Sequence, residues 1–308
     1  MLNFKINNAP KAYAALWFVV LVWGTAPLLN NYMVQNFSPS VSLFGHSLLS
    51  FLTLLIFNVK TLKELDRKCV GIAVLTGVFN MLATLLQSIG LLYTTPANYA
   101  FLENLSCAVV PFALWILAGK KPTVLNMITV VLCMVGVFIL SGVDIRTFDF
   151  GKGDILCGVA GLLYGINIAL TGIYAKDVKP SLFILIQMLT ATVLSFGNIF
   201  LLNGIHVGGE PIVGIWYNLA PMPIFVIALY AVVVLAFCWT IRTKAIQIVN
   251  PTAVAVIMPT AAIVTSIISV VIGTDVLSRN LVIGGSIGFV AALLASFDKL
   301  PIIKKTVA

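Results

Sequence analysis

Tyr13–Tyr32 reads YAALWFVVLVWGTAPLLNNY, without one charged side chain. A helix that crosses the hydrocarbon core of a bilayer needs about 20 mainly apolar residues, and this run meets that demand. Lys5 and Lys11 precede it, as they would a signal peptide. No small-residue cleavage site follows, and further apolar runs do, so it reads as a span of the mature chain. Moving outward, the same pattern recurs at Pro39–Phe57, Cys69–Tyr93, Pro96–Ala118, Val124–Gly142, Asp154–Tyr174, Ser181–Leu202, Met222–Ile241, Pro251–Ile272 and Asn280–Phe297. The 308 residues are 60% hydrophobic and 9% charged, with a mean hydropathy of +1.09. A soluble domain carries about 25% charged residues. These values exclude a soluble globular enzyme, a disordered chain and a nucleic-acid-binding module. The expected fold is an all-α integral membrane protein of ten transmembrane helices, with short loops and no room for a second, soluble domain.

The net charge is +8, and its placement says more than its sum. With the N-terminus in the cytoplasm, all of the 18 lysines and arginines except Arg146, Lys152 and Arg279 fall on the cytoplasmic side. Such a bias sets orientation in the membrane. It puts both termini in the cytoplasm and requires an even number of spans. An extra or missing span would scramble the sorting. Cys69, Cys107, Cys133, Cys157 and Cys238 are scattered, mostly inside apolar runs, without C-x-x-C spacing. They read as buried free thiols, with no zinc site and no disulfide framework.

The chain also repeats. Leu21-Val22-Trp23-Gly24 aligns with Leu162-Leu163-Tyr164-Gly165, and Pro39-Ser40 with Pro180-Ser181, at an offset of 141. Pro96 aligns with Pro251 at an offset of 155 and Asn126 with Asn280 at 154; the longer loop near Asn203–Pro221 accounts for the step. Residues 1–143 and 144–308 then form two five-helix halves. An odd number of spans makes the second half enter the bilayer from the opposite side. Inverted repeats of this kind are a transporter design, with the substrate site near the midplane between the halves.

Several motifs point to a known family. They are Trp23-Gly24; Gln87-Ser88-Ile89-Gly90-Leu91-Leu92-Tyr93-Thr94-Thr95; Ala100-Phe101-Leu102; Pro111; Gly119-Lys120-Lys121-Pro122; and Gly136-Val137-Phe138-Ile139-Leu140. In the second half they are Gly153-Asp154, Pro259 and the turn at Gly273. Over nearly its whole length the chain resembles a ten-helix, EamA-type member of the drug/metabolite transporter superfamily. The resemblance implies carrier-mediated transport of small metabolites, often export, through a cavity between the two repeats. It identifies the fold well and the substrate poorly. His46 departs from it, standing where many relatives carry arginine, and Glu103 stands where similar sequences carry a small or hydroxylated residue.

Ionisable groups inside a membrane cost several kcal/mol and are functional candidates. Among the acidic residues only Glu103 sits deep in an apolar run, seven residues beyond Pro96 and hence about 10 Å from the outer surface. His46, seven residues beyond Pro39, reaches the same level, so the two are expected to meet. Such a pair would exchange a proton or hold a cationic group, unless it serves only to fix helix packing. Asn80, Thr84 and Gln87 share one helix face, as do Tyr164, Asn167 and Thr171, and as do Tyr99, Glu103 and Cys107. Gln187 is the repeat mate of His46. Together these stripes are expected to line a hydrated cavity rather than to hold helices together. The substrate- or proton-binding set is therefore Glu103, His46, Asn80, Gln87, Tyr99, Asn167 and Gln187, with Trp23, Tyr164, Trp239 and Arg242 as further lining. Arg242, the mate of Gln87, either attracts an anionic group or snorkels to the interface; snorkelling is the expectation. The pairs Gly161-x-x-x-Gly165 and Gly284-x-x-x-Gly288 would let helices approach closely, within the molecule or, for the second pair, across a dimer.

No G-x-x-x-x-G-K-[ST] occurs, so the chain carries no nucleotide-powered pump. With only His46 and His206, no metal cluster is expected, and Glu103 has no second deep carboxylate to form a hydrolase pair. The expected protein is a non-enzymatic secondary carrier in the cell membrane, a monomer or homodimer without cofactor or nucleic-acid partner. It would move a small polar or zwitterionic, amino-acid-like metabolite by alternating access, with proton coupling through Glu103. The alternatives are a toxic-compound exporter and, in another class, a non-transporting membrane scaffold or receptor.

Overall fold

The computed structural model of the protein describes residues 6–90, 93–94, 101–142, 151–176, 178–201, 206–207, 210–211, 220–273 and 276–297. Among them, ten helices are long and apolar enough to cross a membrane. The chain is a multi-pass membrane protein. The spans, numbered 1 to 10 in chain order, follow the apolar runs closely. Span 5 is Val124–Ser141, span 6 Lys152–Tyr174, span 7 Pro180–Leu201 and span 10 Arg279–Ser296. Span 2 is Pro39–Asn58, extended by a 3-10 turn over Val59–Glu64, and span 3 is Arg67–Gly90. The remaining regular structure is a pair of two-residue strands before span 8, in which His206 pairs with Pro211 and Val207 with Glu210. This small pairing is the one departure from the all-α expectation among the described residues.

Local chemistry explains the sharper boundaries. Thr123 accepts the amide N–H of Asn126 while the Asn126 side chain accepts that of Thr123, a capping box that starts span 5. Gly142 ends the same span in a left-handed conformation that glycine adopts without steric cost.

Four spans are interrupted where their sequences read as continuous. Span 1 runs Ala9–Trp23, turns at Gly24-Thr25 and resumes as Ala26–Asn36, with Pro27 near the new start. Span 4 is helical at 101–103, turns at Asn104-Leu105 and continues as Ser106–Ala118. Span 8 passes from Pro221–Leu229 through a π-helical stretch, Tyr230–Phe237, into Cys238–Ile246. Span 9 runs Pro251–Ile257, tightens to a 3-10 turn over Met258–Thr260 and resumes as Ala261–Val271. Pro259 lacks the N–H that a regular turn would use there.

Spans pair across the two halves of the chain: 5 with 10, 3 with 6, 2 with 7, 4 with 9 and 1 with 8, with further contacts of 3 with 7, 2 with 8, 4 with 6 and 1 with 9. Glycines set the closest approaches. A Cβ built on Gly136 would stand 2.6 Å from the Gly288 nitrogen and 2.9 Å from the Gly284 carbonyl oxygen. One built on Gly165 would stand 2.6 Å from Val109 Cβ and 3.1 Å from the Ser106 carbonyl oxygen. Both glycine pairs therefore serve packing inside the molecule. Large apolar side chains such as Ile116, Val124, Val193 and Phe200 are exposed on the outer surface, where lipid tails would meet them. Many serines, threonines, asparagines and glutamines are buried instead. All five cysteines are buried free thiols.

Candidate functional site

The polar face of span 3 turns inward onto span 6. The Tyr164 hydroxyl donates to Gln87 Oε1 at 2.7 Å and lies 2.9 Å from Thr84 Oγ1. Thr84 also donates to the backbone carbonyl of Asn80, one turn earlier. A tyrosine with its hydroxyl held between two side chains has a fixed position, so Tyr164 is the hub of the buried cluster.

A second junction lies at Thr76. Asn167 Nδ2 donates to its carbonyl oxygen at 2.6 Å, and Gln187 Nε2 donates to its Oγ1 at 2.7 Å. These bonds tie spans 3, 6 and 7 together, which is the work of interhelical polar contacts in lipid. Asn167 and Gln187 thus hold helices at one end of their amides. Their carbonyl oxygens, like Asn80 Oδ1, are buried without a hydrogen-bond partner among the described residues. Thr76 was not singled out by sequence reasoning. It extends the stripe of Asn80, Thr84 and Gln87 by one turn, so the same periodicity marks it.

Arg242 corrects the sequence expectation. Snorkelling would place its guanidinium at the interface, yet the residue is 7% exposed. Its guanidinium carbon lies 5.0 Å from the ring centre of Trp239 and 5.7 Å from that of Trp23. The two indoles stand 6.1 Å apart. Trp23 is itself anchored, its indole N–H donating to the Val234 carbonyl in the π-helical stretch at 3.2 Å. No side-chain carboxylate within 4.0 Å pairs with Arg242 among the described residues, and its Nε is buried without a hydrogen-bond partner. Desolvated cation–π contacts contribute about 2 kcal/mol, well short of the several kcal/mol that burying a charge costs. Packing does not account for an arginine here.

His46 is buried, its ring 5.3 Å from that of Tyr230 and its Nδ1 without a hydrogen-bond partner among the described residues. Glu103 is partly buried at the turn that interrupts span 4. Tyr99 lies outside the described residues. Cys107, expected on the same face as Glu103, turns into the apolar core beside Cys133. The π-helical stretch, a form that occurs frequently at functional sites, carries no signal in its uniformly apolar sequence.

The arrangement gathers hydroxyl and amide groups of spans 3, 6 and 7 and, beside Trp239 and Trp23, a buried guanidinium, with several acceptors unused among the described residues. Among the described residues no three His, Cys, Asp or Glu side chains cluster to hold a metal ion.

Comparison with known proteins agrees with this picture. The EamA-like transporter family matches residues 10–142 and again 151–297. An Archaeoglobus fulgidus protein named an uncharacterized transporter is 27% identical over 180 residues. That match takes in 58% of this chain and 55% of the archaeal protein, so it spans about half of that relative's length. The Bacillus subtilis (strain 168) protein named the uncharacterized transporter YyaM is 26% identical over 279 residues, 87% of this chain and 88% of its own. A solved crystal structure superposes with a TM-score of 0.76 over 93% of this chain and 96% of the other, at 13% identity, a likeness of fold alone. The protein is a transporter that belongs to the EamA-like family, within the drug/metabolite transporter superfamily.

Proposed function

We propose that the protein is a secondary carrier, not an enzyme, that moves a small zwitterionic, amino-acid-like metabolite across the cell membrane by alternating access. Glu103 takes the ammonium group or a proton, and Arg242 takes the carboxylate. The observation that carries this reading is the buried Arg242 guanidinium, packed beside Trp239 and Trp23 with no carboxylate partner among the described residues, while Glu103 stands at the interruption of span 4 as the opposite charge. Each of the two groups matches one end of a zwitterion.

Two inverted repeats, residues 1–143 and 144–308, would supply the rocking motion. Their relation is supported by contacts that exchange under the two repeat offsets. Gly24 packs on Val264 and the Ala261 carbonyl; its mate Gly165 packs on Val109 and the Ser106 carbonyl, the mates of those two residues. Tyr164 beside Thr84 and Gln87 corresponds to Trp23 beside Trp239 and Arg242. The interruptions at Asn104-Leu105 and Met258–Thr260 fall at matching positions of spans 4 and 9. Broken helices at corresponding places in two halves mark the binding site of such carriers. The lysine distribution puts both termini in the cytoplasm.

The test is counterflow in liposomes with purified protein and a panel of zwitterionic, anionic and cationic amino acids and amines. Saturable flux of zwitterions is expected, reduced at least tenfold by Glu103→Gln. Full flux with an unchanged pH profile in that variant contradicts the role given to Glu103.

A further inference from the structure

A cavity of about 260 Å³ lies apart from the central cluster, at the ends of spans 4, 6 and 8 and the starts of spans 5 and 9. Lys120, Lys121 and Lys176 line it, with Thr123, Asn126 and Asn250 among the polar groups between them. No carboxylate is among the residues that line it, and none of Glu103, His46, Tyr164 or Arg242 reaches it. Neither the Lys120 nor the Lys121 ammonium has an ion-pair partner among the described residues. Burial pulls the pKa of Lys120 below the ordinary lysine range. Span 5 opens onto the same space. Its capping box uses the amide N–H groups of Thr123 and Asn126, while those of Val124 and Leu125 fall in the first turn, where the helix offers no carbonyl partner. The positive end of the helix dipole adds to the lysine field.

We propose that this cavity is a binding site for a phosphate-type anion, separate from the transported substrate. Its size is just below the roughly 300–1,000 Å³ of drug-sized pockets, enough for a phosphate with a short ester arm. Lysine ammonium groups are compact, rotatable donors that meet phosphate oxygens from several directions. Two sources share this chemistry: the headgroup of an anionic lipid, which basic pockets at the lysine-rich face of a membrane protein attract, and soluble phosphate.

The experiment uses the full chain purified in detergent, with thermal unfolding and native mass spectrometry as readouts. The probes are dioctanoylphosphatidylglycerol, dioctanoylphosphatidylcholine and inorganic phosphate. A saturable rise in Tm with phosphatidylglycerol or phosphate, and none with phosphatidylcholine, is expected. A response to the lipid alone assigns the headgroup, and a response to phosphate assigns the soluble anion. The variant K120Q/K121Q/K176Q should raise the apparent Kd at least tenfold, whereas K11Q/K60Q/K63Q, with the same change in net charge, should leave it unaltered. Should the triple variant fold poorly, Lys121→Gln alone, at an exposed side chain, should raise the Kd about threefold. The proposal is overturned if neither anion shifts Tm, if phosphatidylcholine acts as strongly as phosphatidylglycerol, if the cavity variants bind like the parent, or if the control variant loses binding equally.

Discussion

Arg242 and Tyr164 separate what holds the protein together from what it binds. A buried guanidinium without a carboxylate partner is a cost to stability, and replacing such a charge by an apolar side chain of similar volume is often neutral or stabilising. Arg242→Met should therefore leave Tm unchanged or raised while reducing carrier flux at least tenfold; a large fall in Tm with flux preserved would make the residue structural. Tyr164→Phe removes the hydrogen bond to Gln87 Oε1, a contribution of about 0.5–1.5 kcal/mol. The expected outcome is a matching loss of stability in denaturant titration together with a raised KM. The polar stripes that hold these residues were legible in the sequence because helical periodicity puts every third or fourth residue on one face. The division of labour within them was not. Nothing in the spacing of Asn167 and Gln187 shows that both bond to Thr76. Its place near the end of its span pointed Arg242 toward the interface, whereas Trp239, one turn away, and Trp23, distant in sequence, pack beside it inside the molecule.

Helices were legible as apolar runs, and their interruptions were not. Hydropathy registers only what each side chain is, so spans 1, 4, 8 and 9 read as unbroken. The breaks depend on Pro27, on Pro259 and on contacts such as the Thr265 hydroxyl bond to the Gly24 carbonyl at 2.8 Å. Glycine spacing did show where helices come close, and it leads to a stability prediction. Gly136 meets the backbone of Gly284 and Gly288, with nothing flexible to move aside. Gly136→Val should force spans 5 and 10 apart and cost at least the roughly 1–3 kcal/mol of overpacking, seen as a lower Tm in detergent. Gly158, in span 6, has open space around its would-be Cβ. Gly158→Ala should be neutral or gain up to about 1 kcal/mol from the lost flexibility of glycine in a helix. Equal effects at the two sites would contradict the close-packing account. The exposed Lys179–Glu64 pair at 2.6 Å belongs to a class of contact that contributes about 0–1 kcal/mol. Helix packing, not surface pairing, fixes the relation of span 2 to span 7.

The number of spans follows from apolar length and is met in the structure. The proposed arrangement of those spans in the bilayer rests on a different kind of information. Charge sorting across loops and the correspondence of the two halves concern parts of the chain far apart in sequence, and each gains force only from the other. If the halves are inverted, the link between them near Thr147 must lie on the face opposite both termini. Single cysteines at Asn8, Thr147 and Ala308, placed in a variant with the five native cysteines replaced by alanine, report this directly through a membrane-impermeant maleimide added to intact cells and to inside-out vesicles. The account predicts labelling of Thr147→Cys from outside, and of Asn8→Cys and Ala308→Cys only in the inverted vesicles. Labelling of the two terminal sites from opposite sides of the membrane would contradict it.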